Sequence, residues 1–89
     1  MLPETERKQI SEIASRYQPG KVFLFGSSVA DYAKSHDVDI AVMGLKSELF
    51  FAFYRDLIFA LEKPVDVIDL SPVHPLRELV LKEGVVLYG

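Results

Sequence analysis

Asp37, Val38 and Asp39 place two carboxylates two residues apart at the mouth of an apolar run, Val38–Met43 (VDIAVM). In an extended chain, residues i and i+2 project to the same side, about 6.5–7 Å apart along the strand. Two acids so placed can share a hard cation. Magnesium prefers oxygen ligands and is commonly held by one or two carboxylates together with substrate phosphates. The D-x-D pattern alone is short, and a solvated turn accounts for most such pairs. Its setting gives it weight. Asp39 sits within an otherwise hydrophobic run, where a charge is costly unless it has a partner or faces a cleft. A third acid, Asp66, occupies an equally apolar run, VDVIDL. If these two runs pair as strands, Asp66 comes up beside Asp39, and three anions in one place need a cation to coexist. Asp69 falls on the face opposite Asp66 and is assigned to the strand end.

A second group precedes the acids. Phe25-Gly26-Ser27-Ser28 ends the run KVFLF. A strand that turns through Gly-Ser offers free backbone N–H groups and a hydroxyl to an anion, and glycine lets a phosphate approach closely. Most Gly-Ser pairs are plain turns, so the argument rests on order: strand, Gly26-Ser27, a loop, Asp37 and Asp39 on a second strand, then Asp66 on a third. Lys34 lies in that loop and can bring a positive charge, although a loop lysine is most simply solvated. His36 stands next to the acids and suits a surface loop; His74, between Val73 and Pro75, suits a helix entry.

The elements that must hold these residues alternate, so the chain is expected to form a small mixed α/β (α+β) domain with about four strands and helices packed on one sheet. Ile10, Ile13, Ala14 and Tyr17 recur at helical spacing over Glu4 to Tyr17, and Pro19-Gly20 stops that helix. Lys21–Phe25, Val38–Met43 and Val65–Leu70 read as strands. Ser47 is placed to cap a helix from about Glu48 to Glu62. That helix carries Leu49, Phe50, Phe51, Phe53, Tyr54, Leu57, Ile58, Phe59 and Leu61 around most of its circumference. A helix apolar nearly all round is expected to be buried on more than one side, one of them against another chain. A last helix near Leu76–Glu83, closed by Gly84, leads to a fourth strand, Val85–Tyr88, at the sheet edge.

Composition narrows the classes further. Eighty-nine residues, 49% of them hydrophobic, suffice for one domain spanning 1–89 with one core. So small a domain buries a limited share of its surface, which makes self-association or a partner expected. The formal net charge of −3 argues against a dedicated nucleic-acid surface. No cysteine is present, which excludes disulfides and thiolate metal sites. The start MLPETERKQI has no signal-peptide core, and the apolar stretch Leu49–Tyr54 is too short to span a bilayer, so a cytoplasmic protein is expected.

The run FGSSVADYAKSHDVDIAVMG resembles the nucleotidyltransferase superfamily that includes DNA polymerase β, and within it the minimal nucleotidyltransferases. PVDVIDL and LKEGVVLYG look like that family's closing segments, so the likeness covers nearly the whole chain from about Glu4. It implies a nucleotidyltransferase fold and transfer of a nucleoside monophosphate, AMP foremost, from ATP or another nucleoside triphosphate to a hydroxyl, which can belong to a protein. It also implies two magnesium ions on Asp37, Asp39 and Asp66, with Gly26 and Ser27 on the phosphates. The biological setting it suggests is an antitoxin paired with a helical HEPN-type toxin. The chain departs from the family pattern in three ways. Ala30 and Asp31 stand where the loop often has Arg-Gly, His36 stands where Ser is common, and the loop is one residue shorter. The alternative is a binding module of the same fold that neutralises or scaffolds a helical partner without turnover.

Overall fold

The computed structural model describes residues 2–89. Helix α1 (Glu4–Tyr17) ends at Gln18, whose left-handed backbone sends its N–H to the Ala14 carbonyl just before Pro19. Strand β1 (Lys21–Leu24) follows, and Gly26 turns the chain into a single-turn helix α2 (Ser27–Ala30). A 3₁₀ turn over Tyr32–Lys34 leads to β2 (Val38–Met43). After a second 3₁₀ turn, Ser47–Leu49, come α3 (Phe50–Ala60), β3 (Val65–Asp69), α4 (Arg77–Glu83) and β4 (Val85–Tyr88). All the expected strands and long helices form. The differences are local: after Gly26 the chain takes the single helical turn α2, and α3 starts later because the chain first makes a 3₁₀ turn that Ser47 does not cap through its side chain.

The four strands lie in the order β3-β2-β1-β4, so β4 is at an edge as expected. The β1 strand runs antiparallel to β2 and β4, and β2 runs parallel to β3. This is the mixed sheet that the alternating sequence requires, since a parallel pair needs a crossover, here supplied by α3.

Alternation of side chains divides the sheet into two unlike faces. Val22, Leu24, Val38, Ile40, Val42, Val65 and Val67 point to one face, where they pack with Ile10, Ile13 and Ala14 of α1 and Phe53 and Leu57 of α3. The other face holds a smaller cluster, Phe23, Ala41 and Leu70, roofed by Val80 of α4 with Phe25, Met43 and Ile68 partly buried at its margin. The long helices cover one face and leave the other largely open. Helix α3 buries only its inner side: Phe53 is fully enclosed, whereas Phe51 and Phe59 are each 80% exposed. The expected burial on several sides is therefore not met within this chain. Among the described residues no helix is long and apolar enough to cross a membrane.

Candidate active site

The open face is where the acids lie. Asp39 and Asp66 are register partners across the parallel pair β2–β3, on the same side as Ala41 and Ile68. Asp39 is half-buried and Asp66 exposed. Asp37, also exposed, stands at the entrance to β2, two residues ahead of Asp39. Pairing of the two strands brings together side chains that are far apart in sequence.

The electrostatics follow from this crowding. Burial raises the pKa of the Asp39 carboxyl, and the nearby charges of Asp66 and Asp37 raise it further. Such a group is stabilised by any cation that reaches it. Among the described residues, however, no three His, Cys, Asp or Glu side chains form a ready-made metal cluster. The donor set still suits magnesium, which needs only one or two carboxylates when phosphates and water complete its shell.

Gly26 shows why the turn ahead of the acids has this composition. Its φ of 67° belongs to the left-handed region that favours glycine. A Cβ at this position would lie 2.8 Å from Asp39 Oδ2, so the glycine backbone passes directly against the carboxylate. No hydrogen-bond partner is found among the described residues for the N–H groups of Gly26, Ser27 and Ser28. Ser27 is exposed and lines a hollow of about 360 Å³ with Ala30, Asp31, Lys34, Ser35 and His36. Phe25, Gly26, Val29, Ala30, Leu79, Glu83 and Gly84 line another, of about 280 Å³. The two hollows share Ala30 of α2; the first has Lys34 and His36 beside Asp31, and the second carries Glu83 among apolar groups. A larger hollow, about 560 Å³, lies by Ser71, His74 and Arg77, and Asp37, Asp39 and Asp66 line none of these three hollows.

Several side chains singled out in the sequence stay outside this arrangement. Asp69 accepts the Ser71 N–H at 2.9 Å and closes the end of β3. His74 Nδ1 accepts the Leu76 N–H at 3.0 Å at the approach to α4. Other residues acquire a place that sequence reasoning missed. Ser28 is fully buried, and its Oγ accepts the Asp39 N–H at 3.0 Å and donates to the Asp37 carbonyl at 2.8 Å. The Ser35 hydroxyl donates to the same carbonyl. Lys63 donates to the Tyr32 and Ser35 carbonyls and sits 4.1 Å over the Tyr32 ring. The doubled serine after Gly26 was the one available signal, since a short turn must face one of its two hydroxyls inward.

The profile of the family described as polymerase beta, nucleotidyltransferase matches residues 8–89. The chain belongs to this nucleotidyltransferase family. Its architecture is that of a minimal nucleotidyltransferase domain, and solved structures agree. A toxin–antitoxin complex with AMP-PNP contains a chain 26% identical, matched over 93% of this chain and 73% of its own, with a TM-score of 0.77. A complex of the tri-AMPylated Shewanella oneidensis HEPN toxin with its MNT antitoxin gives 25% identity, 97% and 71% coverage and a TM-score of 0.74. The MntA–HepT toxin–antitoxin complex, at 24% identity and a TM-score of 0.75 over 98% and 73% of the two chains, supports the fold alone. No curated protein sequence matches the chain.

Proposed function

We propose that this nucleotidyltransferase domain transfers a nucleoside monophosphate, AMP foremost, from a nucleoside triphosphate to a hydroxyl on a protein partner, and that the partner is a HEPN-type toxin which it restrains. The observation that carries the reading is the register pairing of Asp39 with Asp66, beside Gly26, on the open face of the sheet. AMP-PNP in one matched complex and an AMPylated HEPN toxin in another support the choice of nucleotide and partner.

In the reaction the acceptor oxygen forms a bond to the α-phosphorus, and the bond from that phosphorus to the bridging oxygen of pyrophosphate breaks. Asp37, Asp39 and Asp66 are the residues that would hold magnesium, which supplies charge neutralisation at the attacking and leaving oxygens. Asp66 is exposed beside Asp39, so it can accept the proton released by the attacking hydroxyl. The free N–H groups of the Gly26 turn and the Ser27 hydroxyl bind the β- and γ-phosphates, on which negative charge grows as the bond breaks. Lys34 lines the same hollow as Ser27 and supplies positive charge where the family's usual arginine is replaced by Ala30.

The test is incubation of the protein and its HEPN-type partner with magnesium and ATP labelled at the α-phosphate. Label should pass to the partner and fall by about 10³-fold or more with the Asp37→Ala, Asp39→Ala pair, because metal-assisted charge stabilisation contributes several kcal/mol. Undiminished labelling by that variant would exclude this site. The second reading, a binding module, draws on the exposed Phe51, Ile58 and Phe59 of α3. Neutralisation of the partner by the double variant, with no labelling by the parent protein, would favour it.

A further inference from the structure

We propose that Ser28 is a positioning residue whose buried hydroxyl sets the direction of the Asp37 and Asp39 carboxylates. A serine hydroxyl has one hydrogen to donate and two lone pairs. Here it donates to the Asp37 carbonyl at 2.8 Å and accepts the Asp39 N–H at 3.0 Å. Those two groups belong to the peptide units on either side of Val38, so a single oxygen fixes the backbone that joins the two acids.

The surrounding bonds make this the deciding contact. The Asp39 carbonyl accepts the Phe25 N–H at 3.0 Å, and the Val38 N–H goes to the Pro64 carbonyl at 2.8 Å. The flanking strands therefore hold the segment through those groups, while the Asp37 carbonyl and the Asp39 N–H depend on side chains. Among the described residues, Ser28 is the one side chain that engages both. Ser35 adds a second donor to the Asp37 carbonyl, and Lys63 in turn holds the Ser35 carbonyl at 2.9 Å. The two serines after Gly26 thus divide their work: Ser27 is exposed toward the hollow, and Ser28 is 0% exposed and turned inward onto β2.

Without the hydroxyl, the Asp39 N–H loses its partner and the Asp37 carbonyl keeps only the Ser35 donor, so the Asp37–Asp39 backbone is free to shift. The functional consequence rests on the reading of these acids as metal and nucleotide ligands; the structural claim does not. The experiment compares Ser28→Ala with Ile10→Val, a mild core change in α1 that serves as the control for lost stability, both assayed well below their melting temperatures. Two quantities are read: the hydrogen-exchange protection of the Asp39 amide, and the affinity for ATP in the presence of Mn²⁺, followed by the paramagnetic signal of free Mn²⁺. In Ser28→Ala we expect Asp39 exchange to be faster and Mn²⁺–ATP binding weaker, each by about tenfold, the scale of one unsatisfied buried hydrogen-bonding group. In Ile10→Val both should stay at the parent level. Unchanged Asp39 protection in Ser28→Ala, or an affinity loss no greater than that of Ile10→Val, would overturn the proposal. If Ser28→Ala does not fold, Ser28→Cys, nearly equal in shape and a weaker hydrogen-bonding group, is expected to show the same two changes in smaller measure. Failure of the parent protein to bind Mn²⁺–ATP would count against the proposed function, and Asp39 exchange would still decide the role of Ser28.

Discussion

Between α1 and α3, Asp56 accepts the Tyr17 hydroxyl, and this bond, helped by Arg55 and Arg16, holds its carboxyl below the usual carboxylate range. On the opposite side of the sheet, Asp39 has no such donors for its carboxylate among the described residues; burial and two neighbouring acids push it up instead. At Asp56 the helix-covered side surrounds a charge with partners, although the buried Glu6 Oε2 and Tyr32 hydroxyl find no hydrogen-bond partner among the described residues. The open side does the reverse, gathering like charges at a turn where Gly26 leaves room beside them. The contrast indicates where folding stability resides and where it is given up, as the proposed function requires of a ligand site, since strained or unpaired groups persist only where the rest of the structure holds them.

The largest effect should come from the covered side. Phe53→Ala removes a fully buried ring and is expected to cost about 3–5 kcal/mol. On the outer side of the same helix, Phe51→Glu and Phe59→Glu should change stability by less than about 0.5 kcal/mol, because both rings are exposed. Urea denaturation followed by circular dichroism gives both values. Cooperative unfolding caused by either glutamate would place the outer ring inside the core and dissolve the distinction. Under the proposed function, the same two variants should weaken partner binding.

A smaller effect is expected at the satisfied aspartate. Tyr17→Phe removes the main donor to Asp56 and should cost about 1–2 kcal/mol at neutral pH, the range for a hydrogen bond to a charged group with partial exposure. The sign with pH is fixed by the lowered pKa. Asp56 contributes its stabilisation in full above the ordinary carboxylate value and loses it as the pH falls through its lower folded value. The parent should therefore lose stability in acid more steeply than Tyr17→Phe.

Asp39 should behave in the opposite sense. Its folded pKa is raised, so no penalty exists below the ordinary carboxylate value, and the penalty grows as the pH rises through the raised one. Asp39→Asn removes that penalty. Measured with a chelator present, its melting temperature at pH 7 should exceed the parent's by about 2–4 °C, and the gain should vanish at low pH. A lower melting temperature at pH 7 would mean that Asp39 is a stabilising residue, contrary to the contrast drawn here.

Much of this was legible in the sequence because both faces write themselves into it. The alternation of Val38, Ile40 and Val42 with Asp39 and Ala41 shows which residues share a side, and an acid within each of two apolar runs places Asp66 beside Asp39 once those runs pair, as they do. The helix from Glu4 to Tyr17 was equally plain from its spacing. Other features depend on contacts that periodicity does not encode. The single turn of α2 is too short to show a period, and its inward Ser28 is defined by hydrogen bonds to residues eleven and nine positions away. Lys63 reads as a surface lysine until the loop carrying Tyr32 and Ser35 folds over to it. The outer face of the Phe-rich α3 stays exposed within this chain because a single-layer sheet offers it only one side to pack against, which leaves the expected contact with another chain untested.

The central claim is that the open face is a metal–nucleotide site. It is tested most directly by the amide NMR spectrum of the protein titrated with ATP and substoichiometric Mn²⁺. The account predicts that broadening appears first and most strongly at Gly26–Ser28, Asp37–Asp39 and Val65–Val67, reaches α1 and α3 last, and disappears in the Asp37→Ala, Asp39→Ala variant. Broadening centred on the helical side, or unchanged in that variant, would contradict it.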